Sequence, residues 1–92
     1  MNKQKKVRRK QHYFYDFTLD LHGYNLEDAI LELEKVLYSG RYGSIMIIHG
    51  VGSGILRRGI RKYLVENNFG KKYYNGEDLN LPGGNGVTIV EF

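Results

Sequence analysis

Two stretches decide the fold: Phe17-Thr18-Leu19-Asp20-Leu21-His22-Gly23 and Ser44-Ile45-Met46-Ile47-Ile48-His49-Gly50-Val51-Gly52-Ser53-Gly54. In the first, Phe17, Leu19 and Leu21 alternate with Thr18, Asp20 and His22, the period of a half-buried strand. Asp20 and His22 then share the face opposite the three apolar residues, and Gly23 ends the strand. In the second, Ile45 to Ile48 is a continuous apolar run. It predicts a central strand, buried on both faces or covered by helix and loop. Each run precedes a helical pattern, so each ends in a strand-to-helix corner.

Working outward, Asn25 reads as the N-cap of a first helix, with Asp28 completing a shortened capping box. Leu26, Ala29, Ile30, Leu33, Val36 and Leu37 form its apolar stripe, and Gly40 is placed to stop it. Gly54 opens a second helix. Leu56, Ile60 and Leu64 recur at spacing four there, and Arg57, Arg58, Arg61 and Lys62 cover much of the rest. Asn67, Asn68 and Gly70 end it. Residues 71–75 suggest a strand, 76–86 a loop ending in Pro82-Gly83-Gly84-Asn85-Gly86, and 87–92 a final strand. The order β-α-β-α-β-β predicts an α/β chain built as an α+β two-layer sandwich, with helices on one face of a four-stranded mixed sheet.

Ninety-two residues suit one domain and leave no room for a two-halved dinucleotide fold. The formal charge of +4 is uneven, because six of the 14 cations lie within residues 1–12. They are Lys3, Lys5, Lys6, Arg8, Arg9 and Lys10. The expected division is a basic, disordered arm over 1–12 and a folded domain over 13–92, the arm gripping nucleic acid. With no cysteine, there is neither a disulfide framework nor a thiolate metal site. No apolar run reaches a membrane span of roughly 20 residues, and the charged start lacks the apolar core of a secretory signal. These features predict a cytoplasmic monomer without membrane partners.

The corners carry the chemistry. A glycine-rich turn entering a helix gathers backbone N–H groups and the positive end of the helix dipole around one point, where phosphate binds. His49, Gly50, Gly52, Ser53 and Gly54 supply such a nest, with Arg57 and Arg58 one turn inside the helix. The spacing excludes three phosphate or hydrolase motifs. No Gly-Lys-Ser/Thr follows for a Walker loop. Ile55 stands where a dinucleotide fingerprint needs its third glycine. Ser53 has glycine directly on both sides, which a hydrolase elbow does not.

Asp20 and His22, at i and i+2, point the same way. Imidazole moves protons near neutral pH, and a neighbouring carboxylate orients it. His49 ends the next strand, so the two histidines are expected to flank one phosphodiester. Asp20, His22 and His49 are the candidate catalytic residues. RNA brings its own 2′-OH nucleophile. DNA needs water, which usually calls for Mg²⁺ or another divalent cation. His12, His22 and His49 lack zinc-ligand spacing, so no protein-held metal is assigned. Gly50, Gly52, Ser53, Gly54, Arg57, Arg58, Arg61, Lys62 and the arm residues Lys5, Lys6, Arg8, Arg9 and Lys10 are the candidate nucleic-acid contacts. Tyr13, Phe14, Tyr15 and Tyr24 can stack on unpaired bases.

Taken together, Leu19-Asp20-Leu21-His22-Gly23, His49-Gly50-Val51-Gly52-Ser53-Gly54 and Gly83-Gly84-Asn85-Gly86-Val87-Thr88 resemble the Smr (small MutS-related) domain. That module occurs at the C-terminus of MutS2-type proteins and as short stand-alone proteins. The resemblance covers Phe17 to Phe92. It implies a fold similar to the C-terminal domain of bacterial translation initiation factor 3. It also implies nucleic-acid binding, with nicking endonuclease activity on DNA or RNA in some members. The family's suspected catalytic Asp and His map onto Asp20 and His22, and its glycine motif onto His49 to Gly54. Many relatives carry Thr where this chain has His49, which leaves the role of His49 open. Some relatives act on translating ribosomes or mRNA. The expectation is therefore a DNA or RNA nicking endonuclease, with a non-catalytic RNA, DNA or ribosome-binding adaptor as the alternative.

Overall fold

The computed structural model describes residues 15–67 and 72–92. The elements run β1 (Phe17–Asp20), α1 (Leu26–Ser39), β2 (Ser44–Ile48), α2 (Ile55–Asn67), β3 (Lys72–Asn75), a 3-10 turn (Gly84–Gly86) and β4 (Val87–Glu91). This is the expected β-α-β-α-β-β order. The strands lie in the order β1-β2-β4-β3. β1 pairs parallel to β2, whereas β4 runs antiparallel to both β2 and β3. Three like-directed strands therefore enclose one opposed strand, and the last strand in sequence sits in the middle of the sheet.

Local chemistry explains the helix ends. Asn25 Oδ1 accepts the Asp28 N–H at 2.8 Å, and Asn25 Nδ2 donates to Asp28 Oδ2 at 3.1 Å. This satisfies one of the orphan donors of α1. Gly40 stops the helix in the left-handed region at φ 66°. The apolar stripes then meet over one face of the sheet. Ala29, Leu33 and Leu37 of α1 and Ile60 and Leu64 of α2 are buried with Leu21, Ile45, Ile47 and Val90 in one cluster. Tyr63 Oη donates to Glu34 Oε2 at 2.7 Å across the helix pair, and Tyr73 Oη to the Leu64 carbonyl at 2.6 Å. Gly59 lies where a Cβ would come within 2.5 Å of Leu26 Cδ1, so its bareness lets α2 approach α1 closely.

Three boundaries differ from the expected ones. β1 stops at Asp20, because its register with β2 ends at the Asp20–Ile48 pair. Leu21 adds one last bond to the Ile48 carbonyl at 2.7 Å, which leaves His22 on the turn rather than on the strand. The 76–86 loop is not featureless, since residues 84–86 form a 3-10 turn. β4 ends at Glu91, one residue short of the expected Phe92. The arm over 1–12 lies outside the described residues.

Candidate functional site

Because β1 and β2 are parallel neighbours, both corners open on the same edge of the sheet, the carboxyl end where α/β sheets place ligands. The turn after β1 (His22 to Leu26) and the turn after β2 (His49 to Leu56) line one cleft of about 520 Å³. The two turns touch: a Cβ at Gly50 would lie 3.5 Å from His22 Cβ. Tyr24, Val51 and Ile55, each roughly half exposed, make much of the cleft apolar.

On one side stands a pair of side chains. Asp20 Oδ1 accepts both the His22 backbone N–H at 3.2 Å and His22 Nδ1–H at 2.5 Å. A carboxylate only accepts, so the ring proton is fixed on Nδ1 and the neutral imidazole keeps its lone pair on Nε2. These hydrogen bonds from His22 hold the Asp20 carboxyl below its ordinary value. Both side chains are open to solvent, 71% for His22 and 50% for Asp20.

Opposite them lies the glycine turn. Gly50, Gly52 and Gly54 have φ of 78°, 31° and 85°, a region that side chains disfavour. Gly54 N donates to the Val51 carbonyl, and the Gly54 carbonyl accepts the Arg58 N–H, at 2.9 and 3.0 Å. The first turn of α2 contains no acidic residue. It carries Arg57 and Arg58 instead, with both guanidinium groups folded over Gly54. A Cβ at Gly54 would meet Arg58 Nη1 at 2.6 Å and Arg57 Nη2 at 3.0 Å. The first turn of α1 is the ordinary arrangement, with Glu27 and Asp28 facing the positive dipole end. The start of α2 concentrates positive charge on positive charge, and an incoming anion relieves it.

His49 does not face His22 across the cleft as an exposed partner. It is 3% exposed. Its Nδ1 donates to the Gly50 carbonyl at 3.0 Å, and its Nε2 pairs with Thr88 Oγ1 at 2.9 Å. Burial holds its pKa below 6.5, with the Arg61 and Arg57 charges acting in the same direction. Both ring nitrogens of His49 serve the protein, which differs from the flanking two-histidine arrangement expected from sequence. Strand parity carries the signal that separates the two residues. His49 continues the buried face of Ile45 and Ile47, whereas His22 continues the exposed face of Thr18 and Asp20.

Arg61 is likewise engaged. Its Nε donates to Thr88 Oγ1 at 2.8 Å, its Nη2 to the Val87 carbonyl at 3.1 Å, and its two Nη groups to the Glu77 carboxylate at 3.0 and 2.9 Å. The Arg61 hydrogen bond holds Glu77 down at about 2. This guanidinium, expected at phosphate, braces the β3–β4 loop instead. Lys62 is exposed and lies 3.9 Å from Glu66. Arg57 has no hydrogen-bond or ion-pair partner among the described residues. Lys5, Lys6, Arg8, Arg9 and Lys10 lie outside them. Sequence reasoning gave no role to Glu77, Gly86 or Thr88. The available hints were the Gly83–Thr88 motif quoted above and a polar Thr88 within the otherwise apolar Val87-Thr88-Ile89-Val90. Among the described residues, no three His, Cys, Asp or Glu side chains cluster to hold a metal. No helix there is long and apolar enough to cross a membrane.

Comparison with known proteins bears on the family and the fold. The family model described as the Smr domain matches residues 19–92. Endonuclease MutS2 of Geobacillus sp. (strain WCH70) is 43% identical over 83 residues, which cover 86% of this chain and 10% of that protein. Endonuclease MutS2 of Clostridioides difficile (strain 630) is 42% identical over 76 residues, covering 79% and 9%. The chain thus spans about a tenth of the length of these curated relatives. The crystal structure of the Smr domain of Thermus thermophilus MutS2 superposes with a TM-score of 0.69 at 30% identity, covering 80% of this chain and 94% of that one.

Proposed function

This chain belongs to the Smr domain family, and from that premise we propose that it binds nucleic acid in the cleft between its two corners and nicks the phosphodiester there. The observation that carries the reading is that His22, hydrogen-bonded to Asp20, opens into the same cleft as the glycine turn and the start of α2. In this mechanism the scissile phosphate rests against the turn and the α2 N-terminus, and Arg57 and Arg58 close on its oxygens. His22 Nε2, its lone pair turned outward, takes the proton from the attacking oxygen. Asp20 keeps Nδ1–H in place and stabilises the imidazolium as it forms. His49 and Arg61 take no proton in this scheme.

The nucleophile divides the substrates. With RNA, the neighbouring 2′-OH attacks phosphorus as His22 takes its proton, the P–O5′ bond breaks to leave a 2′,3′-cyclic phosphate, and the departing 5′-oxygen takes a proton from solvent water. With DNA, water attacks, and a divalent cation usually assists. The described residues do not fit a protein-held metal, having no cluster of three ligands, so no step is assigned to one. Nicking of both RNA and DNA, and cytoplasmic action as a monomer, belong to this proposal.

The test is a paired assay. Wild type and His22→Ala are incubated with labelled single-stranded RNA, single-stranded DNA and supercoiled plasmid, with Mg²⁺ and with EDTA. His22→Ala is expected to lower cleavage about 10³-fold, with oligonucleotide affinity unchanged within about twofold. RNA cutting that survives EDTA supports histidine acid–base chemistry. Salt-sensitive binding by wild type with no cleavage of any substrate overturns the enzymatic part. It leaves an adaptor that uses Arg57, Arg58 and Lys62, with ribosomes as the next ligand to test.

A further inference from the structure

We propose that Arg61 and Thr88, acting through His49, are positioning residues that lock the glycine turn in its ligand-receiving shape. The inference rests on the phosphate-binding role proposed above. The donors can be assigned in one direction along the whole chain of contacts. The Gly50 carbonyl only accepts, so His49 Nδ1 carries a proton and donates to it at 3.0 Å. Arg61 Nε only donates, so Thr88 Oγ1 accepts from it at 2.8 Å. The single hydroxyl proton of Thr88 is then free to point at His49 Nε2, 2.9 Å away. The neutral Nδ1–H ring is the form for which every one of these atoms is satisfied.

The far end of the array is anchored as firmly as the near end. The Arg61 guanidinium is held by both oxygens of Glu77 and by the Val87 carbonyl. From the other side, the Gly86 carbonyl accepts the N–H groups of both His49 and Gly50 at 2.9 Å each. Backbone meets backbone there, since a Cβ at Gly86 would lie 3.4 Å from Gly50 Cα. Gly50 is thus gripped through its N–H and its carbonyl, and none of the gripping groups except His49 lines the cleft.

The turn needs such a grip. Three of its five residues from Gly50 to Gly54 are glycines, which have the widest choice of unfolded backbone conformations. A loop that orders only on binding loses affinity to that ordering, whereas a pre-ordered one does not. An apolar residue at position 49 would fill the same buried space and hold nothing.

The test measures the tether and the ligand separately. Nitrogen NMR of the His49 ring reads its tautomer in the wild-type protein without any substitution. Amide hydrogen exchange at Gly50, Gly52 and Gly54 reads the order of the turn. A labelled oligonucleotide gives Kd, kcat and KM. Expected are the Nδ1–H tautomer, faster exchange confined to residues 50–54 in Thr88→Val, and about a tenfold rise in Kd and KM with kcat little changed. Thr88→Ser, which keeps the hydroxyl, restores all three. His49→Asn, whose amide nitrogen can stand in for Nδ1, keeps the exchange at Gly50 slow. An Nε2–H tautomer in the wild type, or unchanged exchange at residues 50–54 in Thr88→Val, overturns the proposal. If Thr88→Val does not fold, the wild-type tautomer and His49→Asn decide the matter. If wild type binds no oligonucleotide, the phosphate-binding reading fails while the NMR and exchange results still judge the tether.

Discussion

Asp20 has two hydrogen bonds to one neighbour, and this sets what its replacement does. In Asp20→Asn the amide oxygen can still accept the His22 backbone N–H, but the charge opposite Nδ1 is gone. The nicking rate is expected to fall about 10²-fold with substrate affinity nearly unchanged, measured as kcat and KM on the same oligonucleotide. His49 makes a prediction of a different kind. Burial lowers its folded pKa, so the unfolded chain binds the proton more readily. The resulting stability is complete above about pH 6.5 and is lost as pH falls toward the lower folded value. Thermal unfolding at pH 7.5 and 5.5 should show that loss, and His49→Asn should reduce it. The charges around the ring act unequally, with Arg61 and Arg57 opposing protonation and Glu77 favouring it. Of the two histidines, His22 was legible from its exposed alternation. The part played by His49 was not, because a strand-end position does not reveal that Thr88, 39 residues later, will take its Nε2.

At the scale of an element, the anion reception proposed for α2 carries a cost in stability. Arg57 and Arg58 sit where the helix dipole disfavours cations, a cost of roughly 0.3–1 kcal/mol each. Replacing both with Gln should therefore raise the thermal midpoint while weakening oligonucleotide binding. The slope of log affinity against log salt should shrink by about 2. A loss in both stability and affinity would instead mark these arginines as structural. The helix ends were readable because capping is local: Asn25 and Gly40 lie beside the turns they close. The end of β1 was less so, because pairing with Ile48 rather than its own alternation decides where the strand stops.

At the scale of the whole molecule, what sequence periodicity could not supply was the neighbour of each strand. The apolar run of β2 announced a central strand, but nothing in Val87-Thr88-Ile89-Val90 says that it slots between β2 and β3. Once it does, the loop before it must pass close under Gly76. A Cβ there would lie 2.2 Å from Val87 Cγ2 and 2.3 Å from the Gly84 carbonyl. Gly76→Ala should cost about 2–3 kcal/mol in urea unfolding, although the residue lies outside the cleft. The position of β4 also sets an order of events in time. A nascent chain emerges N-terminal part first, so β1, α1, β2, α2 and β3 all appear before the strand that joins β2 to β3. Thr88 and Gly86, which hold the glycine turn, arrive with that strand. A partly synthesised domain thus carries its Asp20–His22 pair beside an untethered glycine turn, and under the proposed nicking function cutting competence would wait until β4 had been delivered.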